Sequence, residues 1–183
     1  EAIHLLAYGR SFRGRVRDGL IRTGMPAVEV FAEWWEDAGA RVRKVGLRHS
    51  GQVWEGRLDG ASVAQLGELC AALAAVTFEP GSHALVSGGG EPRRRYLDWG
   101  LFHVEPAFLQ HWRRYARALK QRNSLLKQRG AAGRRGGDAQ LEAWDHELAE
   151  AGEPLTRLRQ RYLEQLQDAL QPASIELAPE LGL

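Results

Sequence analysis

The sequence is poor in cysteine, in lysine and in long apolar runs. Its single cysteine, Cys70, cannot close an intrachain disulfide, which suits a reducing compartment. No apolar run approaches the ~20 residues that a membrane-spanning helix needs. The histidines are not spaced as metal ligands and Cys70 has no cysteine partner, so we predict no metal site. We expect a soluble, cytoplasmic protein.

The common catalytic motifs are also missing. The sequence contains no G-x-x-x-x-G-K-[S/T] phosphate-binding loop, and no lysine directly follows a glycine. It has no G-x-S-x-G elbow and no cysteine and histidine arranged as a nucleophile and its base. We therefore assign no catalytic residue and expect the chain by itself not to hydrolyse ATP.

Arginine, in contrast, is abundant, and charge is segregated along the chain. Of the 25 basic residues only three are lysines, while the formal net charge is +2. Residues 93–135 carry twelve Arg or Lys against two acids, whereas residues 138–170 carry eight Asp or Glu against three arginines. Such segregation predicts either a polyanion-binding surface or two elements that neutralise each other.

Periodicity predicts an antiparallel sheet in the N-terminal half. Residues 1–7 have the composition of a helix but no start signal, so we expect that the chain is an internal piece of a longer protein. Three stretches with strand-like patterning are predicted strands: 28–33, 41–47 and 53–58. Turns are predicted at 36–39 and at Asp59-Gly60.

Two further elements complete the predicted first domain, residues 1–89. Ser62 is predicted to cap a helix that contains Val63, Leu66 and Leu69. The short apolar run Leu73–Phe78, bounded by Pro80, predicts a buried strand.

The second half predicts an arm made of a helical hairpin, residues 90–171. A helix over 91–104 is followed by a second helix with Pro106 as its first residue. The apolar residues of that second helix recur at helical spacing: Phe108, Leu109, Trp112, Tyr115, Leu119 and Leu126. Residues 130–137, rich in glycine and arginine, predict a mobile tip.

The return segment predicts a third helix with a coiled-coil seam. Its repeat consists of Leu141, Trp144, Leu148, Ala151, Leu155, Leu158 and Tyr162. The repeat stays in phase across Pro154, which predicts a kinked rather than a broken helix. Pro172 is predicted to end it, and residues 174–177 to form a strand within a segment, 172–183, that returns to the first domain. The predicted fold class is α+β.

One stretch resembles a known family. Leu85-Val86-Ser87-Gly88-Gly89, then Pro92 and Arg93-Arg94-x-Tyr96-Leu97-Asp98, closely resembles the RecF family of bacterial recombination proteins. The continuations Trp99-Gly-Leu-Phe-His and Leu119-Lys-Gln-Arg-Asn strengthen the resemblance. The sequence departs from the family pattern at Gly81 and Gly90.

The resemblance implies a fragment of a RecF-like protein of DNA repair, replication and recombination. It implies part of an ABC-type, SMC-like ATPase head plus a helical arm, without the Walker A loop or the C-terminal Walker B and signature region. The parent would bind ATP and Mg²⁺, form a homodimer on nucleotide, and bind gapped or single-strand/duplex junction DNA. It would help to load RecA with RecO and RecR. The fragment alone is expected to bind no cofactor.

The resemblance also directs attention to the loop that follows the first helix. Arg10, Ser11 and Arg13 are candidates for a position near the nucleotide or at the DNA-facing edge, where guanidinium groups can stabilise phosphate charge. The alternative is that this loop is a solvated turn.

The DNA-binding candidates lie at the start of the arm and along its second helix: Arg93, Arg94, Arg113, Arg114, Arg117, Lys120 and Lys127. Two structural explanations compete with this role. One of Arg93–Arg95 is expected to pair with Asp98 one turn on. The arm cations are alternatively neutralised by acids of the return helix: Glu142, Asp145, Glu147 and Glu150.

Five aromatic residues are predicted to be core rather than base-stacking groups: Trp99, Phe102, Trp112, Tyr115 and Trp144. Two other functions remain open. The chain is alternatively a DNA-binding module that needs no nucleotide, or an arm that docks a protein through the seam from Leu141 to Tyr162 together with Tyr96 and Phe102.

Overall fold

The computed structural model describes residues 1–36, 39, 41–132 and 138–179. The chain divides into two compact units, Glu1–Ser82 and His83–Leu183, here called unit 1 and unit 2. A 3₁₀ turn spans Pro80–His83. None of the described helices combines the length and apolarity that crossing a membrane requires.

Unit 1 contains a four-stranded antiparallel sheet in the order β1-β2-β3-β4. Its strands are β1 (Val28–Glu36), β2 (Arg41–His49), β3 (Trp54–Leu58) and β4 (Ala61–Ser62). The register sets Val30 opposite Leu47 and Ala32 opposite Val45, which collects apolar side chains on one face. The three predicted strands are confirmed. The predicted ranges 28–33 and 41–47 lie within β1 and β2, and the range 53–58 begins one residue before β3.

Three short helices belong to unit 1: α1 (Ala2–Tyr8), α2 (Val16–Gly19) and α3 (Leu66–Ala72). Leu5 and Leu6 of α1 and Leu69 of α3 pack on Val45 and Leu47 of β2, and all five are nearly fully buried. The core of unit 1 is therefore a two-layer contact between helices and one face of the sheet.

The turn between β3 and β4 follows the sequence prediction. Asp59 and Gly60 have φ angles of 51° and 87°, as a two-residue hairpin turn of the primed type requires. The carboxylate of Asp59 accepts a hydrogen bond from the backbone N–H of Lys44 at 2.9 Å, which lowers the pKa of Asp59. The other predicted turn falls partly on residues 37, 38 and 40, which lie outside the described residues.

Two predictions for unit 1 are wrong. Ser62 lies in β4, and α3 is capped instead by Gln65, whose side chain and that of Glu68 form a reciprocal capping box. Residues 73–79 form no regular element, and Val76 and Phe78 are 82% and 93% exposed rather than buried. The segment lies beside α1, where the Tyr8 hydroxyl donates to the Ala75 carbonyl at 2.9 Å.

Unit 2 is helical. It contains α4 (Ala84–Ser87), α5 (Gly90–Val104), α6 (Phe108–Ala132) and α7 (Asp138–Leu177). α6 and α7 run antiparallel, because Arg114 contacts Glu147 while Arg122, further along α6, contacts the earlier residue Asp145. Leu101, Phe108, Leu155 and Leu158 form the buried cluster that joins α5, α6 and α7. The predicted helical hairpin is confirmed.

The end of α7 differs from the prediction. Both Pro154 and Pro172 lie inside this helix, so Pro172 does not end it and the strand predicted at 174–177 is wrong. The helical ladder continues there, since the Ala178 N–H donates to the Ser174 carbonyl at 3.0 Å. A proline removes one backbone donor, which a long helix tolerates when its other hydrogen bonds remain.

The bounds of α6 also differ from the prediction. α6 begins at Phe108, two residues after Pro106, and extends to Ala132. Residues 133–137, which make up most of the predicted mobile tip, lie outside the described residues, as do residues 180–183.

Candidate functional site

The three arginines at the start of α5 are held by local contacts. Arg93 donates to the carbonyls of Leu85 and Gly88, both at 3.2 Å. Arg94 and Arg95 both bond Glu91 at 2.9 Å, and these two guanidinium groups lower the pKa of the Glu91 carboxyl. The expected pairing of one of them with Asp98 is wrong, because Glu91 lies one turn earlier on the same helix face.

Asp98 instead binds an arginine that is 61 residues away. Arg159 donates to both Asp98 oxygens, at 2.7 and 2.9 Å. This bond raises the pKa of the Arg159 guanidinium. Because α5 carries Asp98 and α7 carries Arg159, the pair fastens these two helices together. Asp98 thus has the ion-pair role predicted for it, with a different partner.

Acids of α7 neutralise part of the α6 charge, as one of the competing explanations predicted. Arg114 donates two hydrogen bonds to Glu147, at 2.6 and 2.8 Å, and Arg122 pairs with Asp145. The Arg114 bond lowers the pKa of Glu147. Arg114 is therefore paired with an acid of the arm, and its role as a DNA contact stays a prediction.

A second group of cations lies on another side of α6. It consists of Arg113, Arg117, Lys120 and Lys127, called here the basic face of α6. At 100° per residue these four positions fall within one third of the helix circumference. All four are exposed, and residues 108–128 include no acid. Within the described part of the chain, no ion pair holds Lys120 or Lys127.

A shallow concavity of about 480 Å³ lies at the N-terminal end of this face and is lined in part by Arg113, Arg114 and Arg117. The basic face therefore combines positive charge with a surface into which a phosphate group can enter. Arg93 and Arg94, tied to α4 and Glu91, do not belong to it.

The aromatic residues divide between core and surface. Phe102 and Tyr115 pack against the buried cluster of unit 2, as predicted. Trp99 stacks on Phe102 at 5.7 Å between ring centroids. Trp112 is 42% exposed, so its prediction as core is wrong. Ala151, Leu155 and Leu158 of the predicted docking seam are buried inside the unit, which leaves that part of the seam unavailable to a partner.

In unit 1 the loop after α1 is shaped by glycine. Gly9 adopts φ 65°, and a Cβ there would lie 2.7 Å from the Leu66 side chain. The guanidinium of Arg13 forms an ion pair with Glu1 at 3.3 Å, and the backbone N–H of Arg13 donates to the Ser11 hydroxyl oxygen at 3.0 Å. Arg13 is thus engaged within the unit.

Arg10 and Ser11 line an open cleft of about 800 Å³ together with Arg15, His49 and Gln52. We call it the loop cleft. The sequence predictions named Arg10 and Ser11 but missed the other three. Arg15 belongs to a cluster of arginines over residues 10–22 that signals a basic surface, whereas nothing in the sequence places the turn at 49–52 beside it.

The described residues contain no group of three His, Cys, Asp or Glu side chains that could hold a metal ion. The sequence also lacks a phosphate-binding loop with its lysine. The cationic loop cleft suits a phosphate group, but it offers no carboxylate to a magnesium ion.

Helices packed on one face of an antiparallel sheet in unit 1, and a long helical hairpin in unit 2, define an α+β protein of the class that joins part of an ATPase head to an arm. No protein-family model matches the chain. Over its whole length it is 68% identical to the DNA replication and repair protein RecF of Stenotrophomonas maltophilia. It is 70% identical to RecF of Xanthomonas oryzae pv. oryzae and 40% identical to RecF of Thioalkalivibrio sulfidiphilus.

Solved structures give the same family. The recombination mediator protein RecF-ATPrS in the RecFOR pathway superimposes with a TM-score of 0.83 at 28% identity, covering 98% of this chain and 48% of that one. The corresponding RecF-ATP structure gives a TM-score of 0.82 at 27% identity, with the same coverage. The chain is a RecF-family sequence, and it spans about half the length of the curated relatives it matches. The predicted family and fold class are confirmed.

Proposed function

We propose that this chain is part of a RecF-type recombination mediator and that the basic face of α6 contacts the DNA backbone. The observation that carries the proposal is an exposed row of cations on a stretch of α6, residues 108–128, that contains no acid, in a chain whose whole length aligns with about half of RecF. Arg and Lys side chains at this spacing neutralise successive phosphates and release condensed counterions, which supplies most of the affinity of sequence-independent DNA binding.

The finer functions belong to the same proposal. The full-length protein would bind ATP with Mg²⁺, form a homodimer on nucleotide, and bind gapped or single-strand/duplex junction DNA. It would act with RecO and RecR to load RecA. Support comes from the fold shared with RecF structures described as RecF-ATP and RecF-ATPrS.

The contribution of this chain to nucleotide binding is narrower. Its sequence contains no G-x-x-x-x-G-K-[S/T] loop to cradle the phosphates of ATP. Bound ATP would supply phosphate charge, and Arg10 and Ser11 are the residues we propose to lie near it. Arg13, paired with Glu1, supports the position of the loop.

The test is the salt dependence of DNA binding by the full-length protein. The variant Arg117→Gln/Lys120→Gln/Lys127→Gln removes three cations of the basic face. Each lost phosphate contact lowers the slope of log affinity against log salt by about 0.9, so the slope should fall by up to about 2.7. Fluorescence anisotropy with a labelled gapped duplex between 50 and 300 mM salt measures this slope.

The matched control is Arg48→Gln/Arg95→Gln/Arg157→Gln, which removes the same charge from exposed arginines that are paired with glutamates. We expect its slope to remain near that of the unmodified protein. Equal slopes for all three proteins would exclude α6 as the DNA contact. If ATP leaves the affinity of the unmodified protein unchanged, the chain belongs to a DNA-binding module that needs no nucleotide.

A further inference from the structure

The loop cleft of unit 1 presents hydrogen-bond donors from two separate parts of the chain. Arg10, Ser11 and Arg15 come from the loop after α1, His49 is the last residue of β2, and Gln52 lies in the turn that follows. None of the acidic side chains that the structure describes lines it. We propose that the loop cleft is a phosphate-binding site whose ligand is the phosphate of a nucleic-acid backbone or of a nucleotide.

His49 is held as a donor toward the cleft. The backbone N–H of Gly51 donates to His49 Nδ1 at 2.8 Å, so Nδ1 is the acceptor nitrogen. In the neutral imidazole the hydrogen must then sit on Nε2, which becomes a donor.

The Ser11 hydroxyl is also held as a hydrogen-bond donor. Its Oγ accepts the N–H of Arg13 at 3.0 Å, which fixes the position of the oxygen. The hydroxyl hydrogen is left to donate to a ligand. With the guanidinium groups of Arg10 and Arg15 and the amide of Gln52, the cleft offers two charged and three neutral donor groups. Phosphate oxygens accept such bonds, and charge-assisted bonds to them are the strong ones.

The size of the cleft narrows the ligand class. At about 800 Å³ and open to solvent, the cleft is much larger than a single phosphate ion needs. A phosphate carried on a larger molecule fits better. This proposal rests on the proposed function, because ATP and DNA both carry phosphate groups. Its residues belong to unit 1, whereas the basic face of α6 belongs to unit 2.

The experiment compares two double variants of the full-length protein. Arg10→Gln/Arg15→Gln removes the two guanidinium groups of the cleft. Arg41→Gln/Arg48→Gln is the matched control, since it removes the same charge from arginines of unit 1 that are paired with Asp59, Glu29 and Glu55. The probes are a labelled gapped DNA duplex without ATP and a labelled ATP without DNA. Circular dichroism checks the fold of each variant.

We expect the cleft variant to bind one probe at least tenfold more weakly, and the control to change binding less than about twofold. Loss for DNA alone assigns the cleft to the backbone, and loss for ATP alone assigns it to the nucleotide. Unchanged binding of both probes, or an equal loss in the control, overturns the proposal. If the α6 variant lowers the salt slope of DNA binding while the cleft variant weakens the binding of neither probe, only the cleft proposal fails.

A second pair of variants tests His49. Asn places an amide near Nδ1 but has no donor at the Nε2 position, whereas Gln reaches that position with an amide donor. We expect His49→Asn to weaken binding of the same probe several-fold and His49→Gln to keep most of it. The reverse order would show that His49 only shapes the turn.

Discussion

Asp98 and Arg159 form a two-bond ion pair whose side chains are only 19% and 26% exposed. Replacing Asp98 with Asn leaves the guanidinium partly desolvated without its counter-charge. We expect the free energy of unfolding to fall by about 1–3 kcal/mol, measured by urea unfolding. The control is Glu153→Gln, which breaks an exposed pair one turn apart on α7 and should cost about 0.3–0.5 kcal/mol. Similar costs for the two variants would contradict this role of Asp98.

The Asp98–Arg159 pair shows how far spacing along the sequence predicts the partner of a charged residue. Spacing indicated that an arginine near Asp98 would bind it, because neighbours within one helical turn are visible in the sequence. The actual partner depends on how α7 packs against α5, a contact that local periodicity does not contain. His49 illustrates the same limit, since only the hairpin of β2 and β3 brings it beside Arg10.

At the scale of helices, α5 approaches α7 closely at Gly100. A Cβ at this position would lie 2.1 Å from the Tyr162 hydroxyl oxygen and 2.4 Å from Cζ. We expect Gly100→Ala to lower the free energy of unfolding by about 1–3 kcal/mol, because the rigid ring has to move. Thermal and urea unfolding of the variant measure this loss.

Gly152 of α7 is the matched control for Gly100. A Cβ there would lie 3.4 Å from the Tyr115 ring, an ordinary contact. Alanine also has the higher helix propensity, so Gly152→Ala should raise stability by about 0.5–1 kcal/mol. A loss of stability in both variants would mean that the α6 and α7 contact is also too tight for an added methyl group.

The periodicity of apolar residues predicted which long helices and strands exist, whereas the positions of their ends depended on single residues. The repeat from Leu141 to Tyr162 predicted α7 because an in-phase apolar seam outweighs the one backbone bond that Pro154 removes. Pro172 also lies inside α7, so a proline alone does not predict where this helix ends. The Ser62 hydroxyl is of a type that caps helices, but Ser62 lies in β4 and pairs there with Arg57 of β3.

At the scale of the whole molecule, the segregated charge is neutralised within the chain on one side of α6 and left exposed on another. Glu147 and Asp145 of α7 neutralise Arg114 and Arg122 of α6, so part of the basic run is structural. Lys120 and Lys127 lie outside that contact. The net charge of +2 conceals this arrangement, because acids that pair with one side of a helix leave another side available to a polyanion.

The segment 73–79 of unit 1 exposes two large apolar side chains, Val76 at 82% and Phe78 at 93%. Ala75 and Thr77 are bonded to α1, at 2.9 Å to Tyr8 and 3.0 Å to His4, so the alternate side chains of Val76 and Phe78 point outward. A segment that forms no regular element and exposes neighbouring apolar side chains is a candidate surface for association. We expect Val76→Ser/Phe78→Ser to reduce light scattering and dye binding by the 183-residue chain.

Met25 and Val53 provide the control, since both are exposed apolar residues of unit 1 outside this segment, at 58% and 65%. Met25→Ser/Val53→Ser should change scattering little, because isolated apolar side chains are common on protein surfaces. The relatives carry about as much chain again, and in a full-length protein we expect that further chain to cover Val76 and Phe78. The first pair of substitutions should then lower stability there instead of improving solubility. Equal effects of the two pairs on scattering would show that the extended segment has no special role.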